Sequence, residues 1–309
     1  MGRGTGERRT LEAGAEHAGR TVLRLVHDLG GFSHAAARGL VAAGAVRRNG
    51  AVVTRGDDRV RPGDRIEIEF DPGRRYRAPS APPSAEGYRI VHEDADVVVV
   101  DKEPGFLSVP APSAKGDSIQ ELLIESYRAR GHGQPQVLPA HRIDRYTSGL
   151  VAFARNRAVW AALRSQFASG APERIYLAVA TGCVARDRGA LEHRLEENPR
   201  SLKVRASTRG RRAASAFRVL ERFPHATLLE VRLDTGRRNQ IRVQMAAEGH
   251  PLVGDHAYGK PSPLVDRTAL HAARLAFDHP VTGKRIELAS PLPRDLERLV
   301  ARLRGGETP

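Results

Sequence analysis

Hydrophobic residues follow two different spacings along the chain, and each spacing predicts one kind of element. Residues 150–154 (LVAFA) form a continuous apolar run without helical periodicity, which is typical of a buried strand. Residues 65–70 (RIEIEF) alternate polar and apolar side chains, which predicts a half-buried strand. Residues 156–170 and 292–303 carry apolar residues three and four positions apart, so we expect amphipathic helices there.

Turn and linker signals divide these elements into two modules. We expect residues 1–18, which are small and polar, to form a disordered tail. Residues 19–71 predict a small domain of two short helices, a hairpin centred on Asn49-Gly50 and a last strand. Residues 72–86 are rich in proline and predict an extended linker, and residues 87–304 are left for a larger domain.

Composition narrows the class of partner. The formal net charge of +14 indicates a protein that binds polyanions, with nucleic acid as the first expectation. A single cysteine, Cys183, excludes a disulfide framework and a cysteine metal site. The longest purely aliphatic run, about residues 97–100, is far too short to span a membrane. The N-terminus lacks the apolar core of a signal peptide, so we expect a cytoplasmic protein without membrane contact.

One candidate for chemistry lies directly before the run at 150–154. Asp144 belongs to a polar loop, residues 141–149, and stands between Arg142 and Arg145. Two guanidinium groups favour the ionised carboxylate, which suits a nucleophile or a general base. On these residues alone, the alternative of an ordinary surface ion pair remains open.

The N-terminal pattern resembles the RNA-binding domain named after ribosomal small-subunit protein four. The order of two helices, an Asn-Gly hairpin and an Arg-Pro-Gly-Asp turn is similar, and so are nine residues: Ser33, Arg38, Gly44, Val46, Asn49, Gly50, Pro62, Gly63 and Asp64. The resemblance implies that Arg38, Arg47 and Arg48 contact RNA phosphates. The alternative is a solvated basic surface on a structural cap.

The rest of the chain resembles the RluA-type RNA pseudouridine synthases, in the branch that acts on large-subunit ribosomal RNA. The similar motifs occur in the family's order and at about its spacing: KEPG at 102–105, HRIDRYTSGL at 141–150, RIYLA at 174–178, TGRRNQIR at 235–242 and GHPLVGD at 249–255. The resemblance implies an α+β fold. Its catalytic domain would have a mixed, mainly antiparallel sheet with flanking helices, next to the small α+β RNA-binding domain.

The resemblance also implies roles for single residues. Asp144 matches the catalytic aspartate, Tyr176 the tyrosine that stacks on the target uracil, and Arg242 the arginine that pairs with the aspartate. Arg142 matches the residue that takes the space of the flipped nucleotide, and Leu270 an apolar residue beside the base.

Two positions depart from the family pattern. Arg238-Asn239 stands where relatives often have Thr-His, and Tyr146 where a small or acidic residue is frequent. The first departure lies between matched residues and leaves the chemistry intact, while the second could tune the choice of substrate.

A basic run at 200–212 adds a second candidate RNA contact. It contains six basic residues and no acid, and we expect Lys203 and Arg205 to meet phosphates. The alternative is a solvated loop.

These observations predict a monomeric enzyme that isomerises uridine in RNA without a cofactor or a metal. Ribosomal RNA is the expected substrate and transfer RNA the main competitor. One alternative is an inactive RNA-binding or ribosome-assembly factor with the same fold. A glycosidase of free nucleosides is disfavoured by the charge and by the N-terminal module.

Overall fold

The computed structural model describes residues 6–28, 30–32, 34–53, 58–72, 87–111, 118–199, 201 and 203–309, without the side chains of residues 34, 35, 38 and 42. The chain forms two compact units: Met1–Glu86 with Pro110–Ser118, and Gly87–Val109 with Ile119–Pro309. The predicted linker lies outside the described residues from position 73 onwards. So do Ser33 and the side chain of Arg38.

The first unit is a four-stranded antiparallel sheet with two short helices. Its elements are β1 (Glu7–Glu12), α1 (Val22–Asp28), α2 (His34–Ala42), β2 (Val46–Arg48), β3 (Ala51–Val52) and β4 (Arg65–Phe70), with one 3-10 turn at Ala15–His17. The strand order is β1-β4-β2-β3. Apolar residues from both helices and from β2 and β4 form one core, for example Leu25, Leu40 and Ile68.

The predicted hairpin at Asn49-Gly50 is confirmed. Asn49 and Gly50 have φ values of 51° and 85°, which place both turn residues in the left-handed region. The Asn49 side chain accepts a hydrogen bond from the Arg65 backbone N–H at 2.8 Å and donates to the Asp64 carboxylate at 2.8 Å. These contacts tie the turn to β4.

The predicted disordered tail is wrong for its described part, residues 6–18. β1 pairs antiparallel with β4 over six residue pairs. The guanidinium of Arg9 lies over the rings of Phe32 and Phe70, about 5 Å from each centroid. Composition missed this strand because β4, which supplies its hydrogen bonds, comes more than fifty residues later.

The second unit is built on one large sheet. Its strands are β5 (Tyr88–Glu93), β6 (Val97–Lys102), β7 (Leu138–Pro139), β8 (Ser148–Ala154), β9 (Glu173–Thr181), β10 (Arg188–Glu197), β11 (Val204–Ala206), β12 (Arg211–Phe223), β13 (Ala226–Leu233), β14 (Leu270–Asp278) and β15 (Arg285–Ala289). Its helices are α3 (Ile119–Ala129), α4 (Arg157–Ser169), α5 (Gln240–Ala247) and α6 (Arg294–Arg304).

Strand pairing confirms the predicted α+β class. The order is β11-β10-β12-β13-β9-β14-β8-β6-β5, with β15 on β14 and β7 on β8. The β8–β14 pair is parallel, whereas the other pairs of this sheet are antiparallel. The sheet is therefore mixed and mainly antiparallel.

Local signals predicted the elements around the central loop well. All seven residues of β8 are buried, as its apolar run indicated. The Asn156 side chain caps α4 by accepting from the Val159 N–H at 2.9 Å, and Gly170 ends the helix with φ of 82°. The loop before β8 is thus attached to a rigid strand followed by a well-capped helix.

β10 had no usable signal in the sequence. Its buried residues Leu191 and Leu195 are four positions apart, a spacing more typical of a helix, and charged residues occupy most of the other positions. The basic run after β10 contains β11 and the start of β12, so it is not simply a loop.

Asp94 holds the turn between β5 and β6. Its carboxylate accepts hydrogen bonds from the backbone N–H groups of Asp96 and Val97, each at 2.8 Å. His92 and His279 each bring Nε2 to the other carboxylate oxygen, at 2.8 Å and 3.2 Å. Burial would raise the pKa of Asp94, but these contacts outweigh it and lower the pKa from 3.8 to about 2.

Replacing Asp94 with Asn should therefore cost stability in a pH-dependent way. Because the folded pKa lies below the unfolded one, the carboxylate stabilises the fold above about pH 4 and loses this effect as pH falls towards 2. After allowance for solvent screening, we expect about 1–2 kcal/mol lower free energy of unfolding at pH 7. Urea unfolding from pH 7 to pH 2 tests this, with the exposed Asp187→Asn as control. A stability difference that does not change with pH would contradict it.

Candidate active site

The loop from His141 to Thr147 ends where β8 meets β14. Gly149 has φ of 110°, and a Cβ on it would lie 2.2 Å from the carbonyl oxygen of Ala272. Glycine is therefore required for the two strands to pair there. Tyr176 on β9 is the register partner of Ala272, so Gly149, Ala272 and Tyr176 form a row across three strands. Asp144, five residues before Gly149, lies in the loop that leads into this row.

Asp144 pairs with a distant arginine and not with its neighbours. The Nη1 of Arg242 is 3.3 Å from the Asp144 carboxylate, and both side chains are partly buried. Among the described residues, no ion pair joins Asp144 to Arg142 or Arg145. The interpretation as a local ion pair is therefore wrong, whereas the predicted pairing with Arg242 is present.

Arg242 is held by more than Asp144. Its Nε and Nη2 bind the two carboxylate oxygens of Asp255 at 2.6 and 2.7 Å, and the Asp255 side chain is fully buried. Its Nη1 also donates to the Asn239 side-chain oxygen at 3.2 Å, and its guanidinium lies 5.0 Å from the Tyr258 ring centroid. Burial lowers the pKa of Arg242, but Asp255 outweighs burial and, with Asp144, raises it. The arginine is permanently charged and fixed in orientation.

Tyr176 provides an aromatic side chain near the carboxylate. Only 7 % of its surface is exposed, and it belongs to the same apolar core as Ile143 and Leu270. Burial raises the pKa of Tyr176 to about 12, and the charge of Asp144 adds to the shift. The phenol is thus neutral at physiological pH, with a flat apolar face suited to stacking.

Two buried basic side chains fix the backbone just after Asp144. The Lys102 ammonium donates to the carbonyl oxygens of Glu103, Phe106 and Arg145 at 2.9, 2.9 and 3.1 Å. Burial holds the pKa of Lys102 well below its usual value. On the other side, Nη1 of the buried Arg267 donates to the Tyr146 carbonyl at 3.1 Å. A carboxylate supported in this way is preorganised, since little movement is needed for it to act.

Arg267 is itself anchored at the closing helix. Its Nε and Nη2 bind the Asp295 carboxylate in the first turn of α6, at 2.6 and 3.1 Å. Burial would raise the pKa of Asp295, but the contacts with Arg267 lower it. The loop after Asp144 therefore depends on residues almost 150 positions later.

His141 braces the loop and does not act as a base. Its Nε2 accepts the Ala152 N–H at 3.2 Å, and its ring stacks on Phe167 with centroids 4.6 Å apart. Burial, with the nearby Arg174, lowers the pKa of His141 to about 3. The imidazole is neutral, and the lone pair of Nε2 is already in use.

The side chains that we expect to contact RNA differ in whether they already bind another group of the protein. Arg142 is exposed on the Asp144 loop, and Lys203 is exposed before β11. Arg205 is exposed but pairs with Glu196 at 3.1 Å. Arg47 is exposed and donates to the Gly50 carbonyl at 3.2 Å. Arg48 binds the buried Asp64 carboxylate at 2.5 Å, so it supports the hairpin.

Three residues of the site were not predicted to have a role in it. Asp255 ends a motif that the sequence shows, but its partner depends on the fold. Asn239 is one of the two departures from the family pattern, and its side chain contacts Arg242. Tyr258 follows Asp255 by three positions, a spacing that alone indicates nothing. The one available signal for Asp255 was its position as a carboxylate directly after a largely apolar motif that ends in Gly254.

Within the described residues, one His–carboxylate group has the spacing of metal ligands: Asp94, Asp96 and His279. The His279 Nδ1 accepts the backbone N–H groups of Val281 and Thr282, at 3.2 and 3.1 Å. The proton of the neutral ring is therefore on Nε2, which faces Asp94. A metal would need that lone pair, so the group fits a turn-stabilising network better than a metal centre.

Comparisons with known proteins show the family to which the chain belongs. The profile described as RNA pseudouridylate synthase matches residues 96–247, and the S4 domain profile matches residues 23–66. An uncharacterized RNA pseudouridine synthase of Bacillus subtilis, YlyB, is 35% identical over 269 residues, covering 85% of this chain and 87% of the relative. The ribosomal large subunit pseudouridine synthase D of Haemophilus ducreyi is 31% identical, covering 84% of this chain and 83% of its own.

Solved structures show the same fold. Human RNA pseudouridylate synthase domain containing 4 superposes with a TM-score of 0.58 at 21% identity, over 70% of this chain and 92% of that one. Human RNA pseudouridylate synthase domain containing 1 gives 0.55 at 24% identity, over 75% and 99%. In the part of the chain that is described, no helix is long and apolar enough to cross a membrane.

Proposed function

The chain belongs to the RNA pseudouridylate synthase family, and we propose that it isomerises uridines of large-subunit ribosomal RNA with Asp144 as the catalytic carboxylate. The pairing of Asp144 with a fixed Arg242, beside the buried ring of Tyr176, carries this proposal. It places a carboxylate next to a fixed cation and a flat aromatic side chain.

The reaction needs few groups. The bond from ribose C1′ to uracil N1 breaks, the base turns, and C1′ joins uracil C5. N1 gains a proton and the C5 proton leaves, so the atoms balance without a cofactor. The Asp144 carboxylate would stabilise or trap the electron-poor sugar, or remove a sugar proton.

The neighbouring residues would bind the base and its flipped nucleotide. Tyr176 would stack on the detached uracil, with Leu270 beside it. Arg142, exposed on the same loop, would occupy the space that the flipped nucleotide leaves in the RNA. Arg242 would hold the Asp144 carboxylate in place while the base moves.

The choice of ribosomal RNA rests on two observations. Several relatives more than 30% identical are ribosomal large subunit pseudouridine synthases D, and the net charge of +14 suits a large polyanion. We also propose that the enzyme acts in the cytoplasm. Pseudouridine mapping of total RNA from cells with and without the gene tests the substrate. Sites lost only from transfer RNA would overturn this choice and leave the chemistry intact.

We expect Arg47→Ala to weaken RNA binding without unfolding the small domain. Arg47 is exposed, and among the described residues its side chain makes a hydrogen bond to a carbonyl and no ion pair, so its charge is available to a phosphate. Binding should fall about 3- to 10-fold, and the salt dependence of log K should flatten by about 0.7–0.9. Filter binding to ribosomal RNA over a salt series measures both.

Two further variants make this result interpretable. Arg128→Ala on α3 removes another exposed arginine and should leave binding and its salt slope unchanged. Arg48→Ala should also lower stability, because the buried Asp64 carboxylate loses its partner. Equal binding by Arg47→Ala and the unchanged protein would remove Arg47 from the RNA contact.

A further inference from the structure

The Tyr258 hydroxyl connects two parts of the second unit that the proposed chemistry treats separately. It accepts a hydrogen bond from the Asn239 side-chain amide at 3.0 Å and one from the Val204 backbone N–H at 3.3 Å. Asn239 contacts Arg242. Val204 lies in the basic segment, which we define as residues 203–212, with five cations and no acid.

The hydrogen bond between Asn239 and Tyr258 restrains the Arg242 nitrogen that faces Asp144. The Arg242 Nη1 carries two hydrogens, of which one points to Asp144 and the other to the Asn239 oxygen. The Asn239 oxygen faces a donor, Arg242, and its nitrogen faces an acceptor, the Tyr258 hydroxyl. The amide orientation is thus fixed at both ends.

Asn239 adopts an unusual backbone for this purpose. Its φ of 52° and ψ of 23° lie in the left-handed region, and its side chain makes no helix-capping hydrogen bond. Asparagine tolerates this conformation better than most residues. The side chain is thereby used for the contacts with Arg242 and Tyr258, and not for α5.

On the side of the basic segment, the contact adds to a small apolar cluster. Tyr258 packs against Leu195, Val204, Ala213 and Val243. β11 is an edge strand of three residues, paired with β10 alone among the described strands. The hydroxyl gives this short edge a polar anchor towards the site.

We propose that the Tyr258 hydroxyl is a positioning group that holds the basic segment at a fixed position relative to Arg242 and Asp144. RNA held by the segment would then present its uridine to the carboxylate. This role rests on the proposed function, because it concerns the same reaction. Tyr258 would make two contributions. Its ring supports the Arg242 guanidinium, and its hydroxyl sets the distance between that guanidinium and the basic segment.

The variant Tyr258→Phe separates these contributions, since it keeps the ring and removes only the hydroxyl. At saturating RNA, we expect the single-turnover rate to fall about tenfold. RNA affinity should change less than about threefold, and the salt dependence of log K should keep its slope, because the charges of the segment remain. The probe is uridine-labelled total RNA, tritiated at uracil C5, from cells that lack the gene.

Two comparisons are needed. The first shows whether the effect is specific to the Tyr258 hydroxyl, and the second shows whether it passes through Asn239. Tyr88→Phe removes a hydroxyl at the opposite edge of the sheet and should leave the rate unchanged. Asn239→Gly keeps the left-handed backbone without strain, and adding Tyr258→Phe to it should cost less than about a further threefold. Full additivity of the two changes would overturn the link.

The outcomes separate this role from the function itself. An active parent enzyme with an unchanged Tyr258→Phe rate would overturn the positioning role alone. Lost RNA affinity with an unchanged saturating rate would also overturn it, because Tyr258 would then be a binding residue. A parent enzyme that releases no tritium would overturn the proposed function, and the positioning role with it.

Discussion

Replacing Asp144 with Asn should reduce pseudouridine formation at least about 1,000-fold, because the amide has the shape of the carboxylate but neither its charge nor its nucleophilicity. The fold should be retained, since the Asn oxygen can still accept the hydrogen bond from Arg242. RNA affinity should also be largely retained, because the basic surfaces are unaltered. Single-turnover assays with titrated RNA measure rate and affinity separately.

The matched control for Asp144→Asn is Asp187→Asn. Asp187 is an exposed carboxylate that pairs with an arginine, Arg222, at 2.7 Å, and among the described residues no ion pair joins it to the site. Its substitution should leave the rate unchanged. A rate within tenfold of the parent in Asp144→Asn would mean that another group performs the chemistry.

The second large effect is expected from Asp255, which does not belong to the predicted catalytic set. Asp255→Asn would leave the partly buried Arg242 without its bidentate partner, and an uncompensated charge of this kind costs about 3–5 kcal/mol. We expect the melting temperature to fall by about 6 °C or more and the rate by about 100-fold. Calorimetry and single-turnover kinetics test the two parts.

A second substitution distinguishes charge from shape. Arg242→Met added to Asp255→Asn removes the unpaired cation, so it should recover part of the lost stability. It should not recover activity, because Asp144 then has no arginine. Further loss of stability in the double variant would contradict the view that Asp255 acts by compensating Arg242.

The sequence predicted elements whose determinants are local. The run 150–154, the Asn49-Gly50 turn and the caps of α4 each depend on neighbouring residues, and the structure confirms all three. β1 was predicted wrongly and β10 was missed. The strand partner of β1 lies more than fifty residues later in the chain, and the two buried leucines of β10 are four positions apart, so neither strand shows in its own periodicity.

The same distinction between local and distant determinants applies to the residues of the site. The motifs that resemble the family include Asp144, Tyr176 and Arg242. The structure pairs Asp144 with Arg242 and places Tyr176 in the strand row into which the Asp144 loop leads. Which carboxylate compensates Arg242 could not be predicted, since the answer depends on where the loop with Asp255 meets α5 in the fold. For the same reason, Arg48 was predicted to bind RNA but is engaged by Asp64. A residue type indicates possible chemistry, and tertiary contacts decide which groups remain available for it.

Release of tritium from RNA labelled at uracil C5 tests the central claim most directly, because the new bond to C1′ displaces that hydrogen. With RNA from cells that lack the gene, the purified protein should release tritium without any added cofactor. The amount should match the number of target uridines, and Asp144→Asn should release none. Absence of release by the parent protein from this RNA would contradict the assignment of the chain as an active uridine isomerase.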